Sequence, residues 1–255
     1  MGKKIKVILL VAGEGKRLHP YTKNIPKCMV KINGVSLIDR QLDILNSEGI
    51  KNILMVGGYK ADMLKKKNIP LILNKRYHET NMVWSLFCAE HKMDGDIIVS
   101  YGDIVYSQTI LRTLLKSKAD ISVVIDKKWE GYWRSRNENP LDDAESLKLR
   151  NDGTILEIGK KPKSIDEIEG QYIGLIKFSA KGINHIKKTF HKLNENKFEN
   201  LSMENAYMTD LLQAMIASGI KITAIPVLES WIEIDTVSDI ESNVTLQRVL
   251  QINKY

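Results

Sequence analysis

The chain is poor in cysteine: its 255 residues include two, Cys28 and Cys88, far apart and outside any C-x-x-C spacing. That excludes a disulfide framework and a thiolate zinc site, both of which need clustered cysteines. Histidine is sparse as well. The five, His19, His78, His91, His185 and His191, lack the short spacings from which metal-binding sets are built. No apolar run approaches the length that crosses a bilayer. The apolar stretch Val7 to Ala12, behind the basic start Met1 to Lys6, is too short for a signal peptide and passes straight into glycine. A reducing cytoplasm is the expected setting, without membrane attachment. Internal repeats and linker-like stretches are absent too, so one domain over residues 1–255 is expected.

What is present is an ordinary folding composition, 43% hydrophobic and 27% charged. Lys and Arg number 38 against 31 Asp and Glu, a net charge of +7, with lysine spread along the chain rather than gathered in one arm. That distribution suits small phosphorylated ligands more than nucleic acid, and a solvated lysine-rich surface accounts for most of it without any partner.

Hydrophobic spacing alternates between strand and helix. Lys6 to Ala12 (KVILLVA) is an unbroken aliphatic run ending at Gly13, the pattern of a central parallel strand covered on both faces. Ser36 to Glu48 sets Leu37, Ile38, Gln41, Leu42 and Leu45 at helical spacing, with Ser36 as N-cap and Gly49 as stop. Ile53 to Val56 then closes a strand, helix, strand unit, which makes its strands parallel neighbours. Leu71 to Leu73, Asp96 to Ser100, Ile121 to Ile125, Tyr172 to Phe178 and Lys221 to Val227 read as further strands. Trp84 to His91, Gln108 to Lys116, Lys181 to Lys192, Met208 to Ser218 and Ser238 to Val249 read as helices. Asn151-Asp152-Gly153 is a hairpin turn between Ser146 to Leu149 and Thr154 to Ile158. From Trp129 to Asp143 the periodicity stops, and an irregular functional insertion is expected there.

The chemistry begins directly after the first strand. Gly13-Glu14-Gly15-Lys16-Arg17 lets backbone N–H groups approach a phosphate without Cβ obstruction, and Arg17 adds a permanent forked charge. The stretch lacks the third glycine of a dinucleotide fingerprint and the G-K-[ST] ending of a P-loop, so both rival motifs fail. Its continuation through Leu18, Pro20, Thr22 and Pro26-Lys27 completes the run L-V-A-G-E-G-K-R-L-H-P-Y-T-K-N-I-P-K. That run resembles the signature of the sugar-phosphate nucleotidyltransferase superfamily.

The resemblance implies an α/β, Rossmann-like nucleotidyltransferase fold with a mixed, mostly parallel central sheet flanked by helices. Residues 1–125 would mainly bind nucleotide and residues 126–255 mainly the acceptor. By the same resemblance Ala12, Gly13, Gly15 and Arg17 meet the nucleotide phosphates and Lys27 reaches the α-phosphate or the incoming phosphate. Asp103, in Tyr101-Gly102-Asp103, and Asp235, in Trp231-Ile232-Glu233-Ile234-Asp235-Thr236, match the family's magnesium-binding pair. Two hard oxygen ligands suit Mg²⁺, which also takes substrate phosphates and water. Each aspartate has a plainer reading as a turn or helix cap. Lys160-Lys161-Pro162 resembles the family's lysine for the acceptor phosphate, with the choice between Lys160 and Lys161 open and a solvated basic turn as the alternative.

Within the superfamily the chain is similar to the short cytidylyltransferases acting on phosphocholine, aminoethylphosphonate or glutamine phosphate. CTP and a small phosphorylated amine or amino acid are then the expected substrates, and capsule or cell-surface polysaccharide modification the implied use. Val56 to Tyr59, with Gly58, and Asn81 to Leu86, with Asn81 and Ser85, match the pyrimidine pocket of such enzymes. Trp129, Trp133, Tyr172 and Trp231 would offer aromatic faces to a cationic amine, with Asp142, Asp143 and Glu145 as its acidic partners. The alternative for the tryptophans is a role as core anchors. Arg134 and Arg136 would hold a carboxylate, which favours an amino-acid phosphate. A sugar-1-phosphate uridylyl- or thymidylyltransferase, or a non-catalytic nucleotide-binding subunit, are the competing functions. A homodimer stays open.

Overall fold

The aliphatic runs that alternate with helices assemble into one seven-stranded sheet in the computed structural model, which describes residues 5–196 and 202–252. Residues 1–4 of the basic start lie outside the described residues. Across the sheet the order is Thr223–Val227, Ile121–Asp126, Gln171–Phe178, Ile97–Tyr101, Lys6–Val11, Ile53–Gly57 and Leu71–Leu73. All neighbours are parallel except for Gln171–Phe178, which runs antiparallel to both strands beside it. The mixed, mostly parallel sheet expected from the sequence is therefore present.

Helices cover both faces, which is why the strands carry no polar alternation. Leu37–Ser47 and Gln108–Lys116 pack on one face with Leu37, Leu45, Leu111 and Leu114. Ala180–Asn196 and Met208–Ala217 pack on the other with Ile183, Ile186, Leu211 and Leu212. Ser36 caps the first of these helices by accepting the Asp39 N–H, as its position in the sequence predicts. Among the described residues no helix is long and apolar enough to cross a membrane.

Three readings change. The stretch expected to be irregular from Trp129 contains the helix Trp129–Arg136, followed by a short turn of helix at Pro140–Asp142. Trp129, Tyr132 and Trp133 form its buried face at the i, i+3, i+4 spacing, and Gly131 with the surrounding charges hides that spacing from an apolar count. The last helix is two, Val237–Glu241 and Asn243–Ile252, because Ser242 adopts extended backbone and starts a new turn, its carbonyl accepting the Leu246 N–H at 3.1 Å. The helix expected at Trp84 begins at Met82 and ends at Cys88.

A small antiparallel ribbon, Ile104–Tyr106 with Trp231–Glu233, stands beyond the carboxyl end of strand Ile97–Tyr101. It brings together two segments remote in sequence, and the site is built at its end.

Candidate active site

The first turn is set by backbone geometry. Gly15 has a positive φ of 67°, the left-handed region open to glycine, and its carbonyl accepts both the Leu18 N–H at 2.9 Å and the buried Thr22 hydroxyl at 2.7 Å. Lys27 lies across it: a Cβ at Gly15 would stand 3.1 Å from Lys27 Cβ and Cγ. The loop therefore places its cations as well as its amides.

Asp103 is pressed against the sheet end by Gly102. A side chain there would stand 2.8 Å from the Leu10 carbonyl and 2.7 Å from Val11 Cγ1. Asp235 reaches the same point through the ribbon, whose extension bonds Ile234 N–H to the Asp103 carbonyl at 3.0 Å. Lys27 Nζ donates to Asp103 Oδ2 at 2.6 Å and to Asp235 Oδ1 at 2.8 Å, and Arg17 pairs with Asp235 Oδ2. Burial alone pulls the Lys27 ammonium toward its neutral form. The facing Asp103 and Asp235 carboxylates outweigh that burial and raise its pKa. For Asp235 burial again opposes charge and Lys27, Arg17 and Arg136 overcome it, so its carboxyl is held below the usual range.

Four of the expected phosphate and cation groups, Arg17, Lys27, Asp103 and Asp235, thus meet in one cluster. Asp103 Oδ1 is buried and has no hydrogen-bond partner. With the Asp235 carboxylate it makes two hard oxygen groups of the kind that could hold a divalent cation. Among the described residues no group of three or more His, Cys, Asp or Glu side chains is arranged to hold a metal.

Beside this cluster lies a cavity of about 250 Å³ lined by Ala12, Gly13, Asn81, Ser85 and Gly102 together with Lys27 and Asp103. Gly58 is behind it. A Cβ at Gly58 would stand 2.5 Å from Tyr77 Cβ and 2.8 Å from the Ala12 carbonyl, so this glycine allows the two turns to close on each other. Asn81 spends its side-chain N–H on the Asn205 carbonyl at 2.6 Å, and Ser85 Oγ accepts from Asn74 at 2.9 Å. Asn74, buried and pairing Thr80 as well, is a structural residue of this pocket that the sequence does not single out.

A second cavity, of about 340 Å³, shares Lys27 and Asp103 and is lined further by Trp133, Glu145, Tyr172 and Trp231. Glu145 Oε1 accepts the Thr209 hydroxyl at 3.2 Å. Burial, then Asp210 and Asp143, push its carboxyl up, and burial likewise pushes up Asp143 against the pull of Arg136. Trp231 Nε1 donates to Asp126 at 2.9 Å, whereas buried Trp133 Nε1 has no partner.

Four expected residues stand elsewhere. Trp129 is in the core and donates to the Ile168 carbonyl at 3.2 Å. Arg134 is on the surface, paired with Glu130 at 2.7 Å. Lys160 pairs with Glu157 and lines a separate cavity, and Lys161 donates to the Asp142 carbonyl at 2.7 Å. Arg136 is occupied too: its buried guanidinium holds Glu233 and Asp239. Glu233 was not foreseen as a wall of the acceptor side, although strand alternation in Trp231–Glu233 and onward puts it on the same face as Asp235. Burial and the neighbouring Asp103 and Asp235 push its carboxyl up, with Arg136 opposing.

The family model for a MobA-like NTP transferase domain matches residues 7–154. A CTP:phosphoglutamine cytidylyltransferase of Campylobacter jejuni is 41% identical over 252 residues, covering 94% of this chain and 99% of that protein. A 2-aminoethylphosphonate cytidylyltransferase of Lancefieldella rimae is 24% identical, covering 93% and 91%. In structure, the CTP:phosphocholine cytidylyltransferase of Streptococcus pneumoniae superposes with a TM-score of 0.75 at 22% identity, covering 97% of this chain and 99% of that one. The glycine turn, the paired carboxylates and this likeness along nearly the whole length lead to one assignment: the chain belongs to the MobA-like NTP transferase family and is a nucleotidyltransferase.

Proposed function

We propose that this enzyme joins the CMP of CTP to a small phosphorylated amino acid of the phosphoglutamine kind, with Mg²⁺, and releases pyrophosphate. The observation that carries the acceptor reading is the acidic wall of the larger cavity. Glu145 and Asp143 line it, both raised by burial. A buried carboxylate needs a cationic partner, and an acceptor ammonium supplies one where a neutral sugar does not. The 41% identity to a CTP:phosphoglutamine cytidylyltransferase supports the same choice. Trp133 Nε1, buried without a partner, is a donor for an acceptor oxygen.

In this reading CTP lies on Ala12 and Gly13 with its base toward Asn81 and Ser85. The acceptor phosphate enters from the other cavity. Its oxygen is already anionic, so it attacks the α-phosphorus without a general base; the new O–P bond forms as the bond from the α-phosphorus to the bridging oxygen breaks, and both electrons leave with pyrophosphate. Arg17 and Lys27, which meet beside Asp103 and Asp235, would balance the charge on the phosphates. Asp103 and Asp235 would hold a Mg²⁺ ion, which would add further charge neutralisation.

The test is pyrophosphate release with CTP, UTP and dTTP against phosphoglutamine, aminoethylphosphonate, phosphocholine and hexose 1-phosphates, with mass spectrometry of the product. CTP with an amine-bearing acceptor is expected to be preferred. Preference for UTP or dTTP with a hexose phosphate would overturn the proposal.

A further inference from the structure

Arg136 lines neither cavity, yet it is tied to the chain on both sides of Asp235. Its side chain is 7% exposed at the end of the helix Trp129–Arg136. Nε donates to Asp239 Oδ1 at 2.8 Å, Nη2 to Asp239 Oδ2 at 3.2 Å and Nη1 to Glu233 Oε2 at 2.8 Å. Asp239 Oδ2 in turn accepts the backbone N–H groups of Asp235 and Thr236, each at 2.9 Å. The same helix holds the segment a third time through the Tyr132 hydroxyl, which donates to the Glu233 carbonyl and accepts the Glu233 N–H, both at 3.1 Å. The guanidinium is itself fixed, at 5.3 Å from the Tyr132 ring centre and 5.6 Å from that of Trp133.

We infer that Arg136 is a positioning residue for nucleotidyl transfer: through Asp239 it sets the direction of the Asp235 carboxylate, and by pairing with Glu233 it leaves Lys27 to Asp103 and Asp235. A lysine cannot do this. Its single ammonium cannot span Asp239 Oδ1, Asp239 Oδ2 and Glu233 Oε2, which a planar fork meets at once. The geometry also gives the inserted helix a task distinct from lining the acceptor cavity. This rests on the proposed role of Asp235 as a cation ligand.

The test uses the full chain with Arg136→Met and Arg136→Lys, and reads Mn²⁺ affinity in the presence of CTP by electron paramagnetic resonance, the Mg²⁺ requirement of turnover, and thermal stability. Groups that orient a metal's ligands typically change its affinity by about 10–100-fold. Arg136→Met is expected to weaken Mn²⁺ binding on that scale, with Arg136→Lys recovering only part. The surface change Arg134→Ala should leave the affinity as it is. Should Arg136→Met fail to fold, Asp239→Asn keeps the volume and is expected to weaken Mn²⁺ in the same direction. Unchanged Mn²⁺ affinity in a folded variant overturns the inference, even if stability falls. A wild-type enzyme that binds no Mn²⁺ with CTP overturns the reading of Asp235, and this inference with it.

Discussion

Lys27 Nζ lies between two carboxylates that are 132 residues apart in the chain, 2.6 Å from Asp103 Oδ2 and 2.8 Å from Asp235 Oδ1. The contact joins the glycine turn to both halves of the proposed metal site. Lys27→Met removes the charge while keeping the length of the side chain. Turnover should fall by about 10²–10³-fold, the scale of losing one preorganised electrostatic contact in a transition state. Breaking a buried ion pair also costs about 3–5 kcal/mol of stability, although Arg17 still faces Asp235. Kinetics and denaturant melts check both; full activity would remove Lys27 from the chemistry.

Gly102 makes a separate demand, on space alone. An added methyl would stand 2.8 Å from the Leu10 carbonyl, a backbone atom in the strand Lys6–Val11. Gly102→Ala should therefore destabilise by about 1–3 kcal/mol, the usual cost of overpacking. It should also displace Asp103 and raise the divalent-cation requirement. A variant with wild-type melting and wild-type Mg²⁺ dependence would show that the sheet end yields freely.

The first half of this site was legible because it is local. A buried strand running into Gly13 and Gly15, with Arg17 and Lys27 following, is a contiguous pattern, and Asp103 likewise follows directly on its strand. Asp235 depended on resemblance, since its partner strand Ile104–Tyr106 is more than a hundred residues away. Arg136 was read as a carboxylate holder for substrate. Its type was informative but its partners were not, because Glu233 and Asp239 come to it only through folding. The aromatic stretch misled for a related reason: Trp129, Tyr132 and Trp133 are helical neighbours whose spacing is visible only if aromatics are counted as a face, and of the three only Trp133 reaches the cavity.

Asp126 shows how the core supports the acceptor side. It is fully buried at the end of its strand and accepts Trp231 Nε1 at 2.9 Å, Lys128 N–H at 2.8 Å and Glu229 N–H at 3.1 Å. Asp126→Ala leaves these donors without a partner, at about 1–3 kcal/mol for a buried unsatisfied group. Because Trp231 both lines the cavity and begins the ribbon to Asp235, acceptor KM should rise along with the loss of stability. Thermal melts and acceptor titration at saturating CTP test this; a stability loss with unchanged acceptor KM would mean that Trp231 keeps its place without Asp126.

Glu145 ties pH to both stability and substrate. Burial raises its carboxyl above the ordinary value of 4.5, with Asp210 and Asp143 adding to the shift. As pH rises, the unfolded chain ionises this group first, so the folded state loses stability between the ordinary value and the raised one and does not regain it above. Glu145→Gln removes that loss and should melt higher than the wild type at neutral pH, with the difference shrinking toward pH 4. The same variant gives up the charge proposed to hold the acceptor ammonium. A hydrogen bond to a charged group contributes about 1.5–3 kcal/mol, so acceptor KM should rise by about tenfold or more while CTP KM stays level. In the wild type, acceptor affinity should weaken on acidification as Glu145 takes up its proton. A Gln variant that is stabilised at neutral pH but binds the amine-bearing acceptor as well as the wild type would separate the two roles, leaving Glu145 a strained wall of the cavity and shifting the ammonium to Asp143.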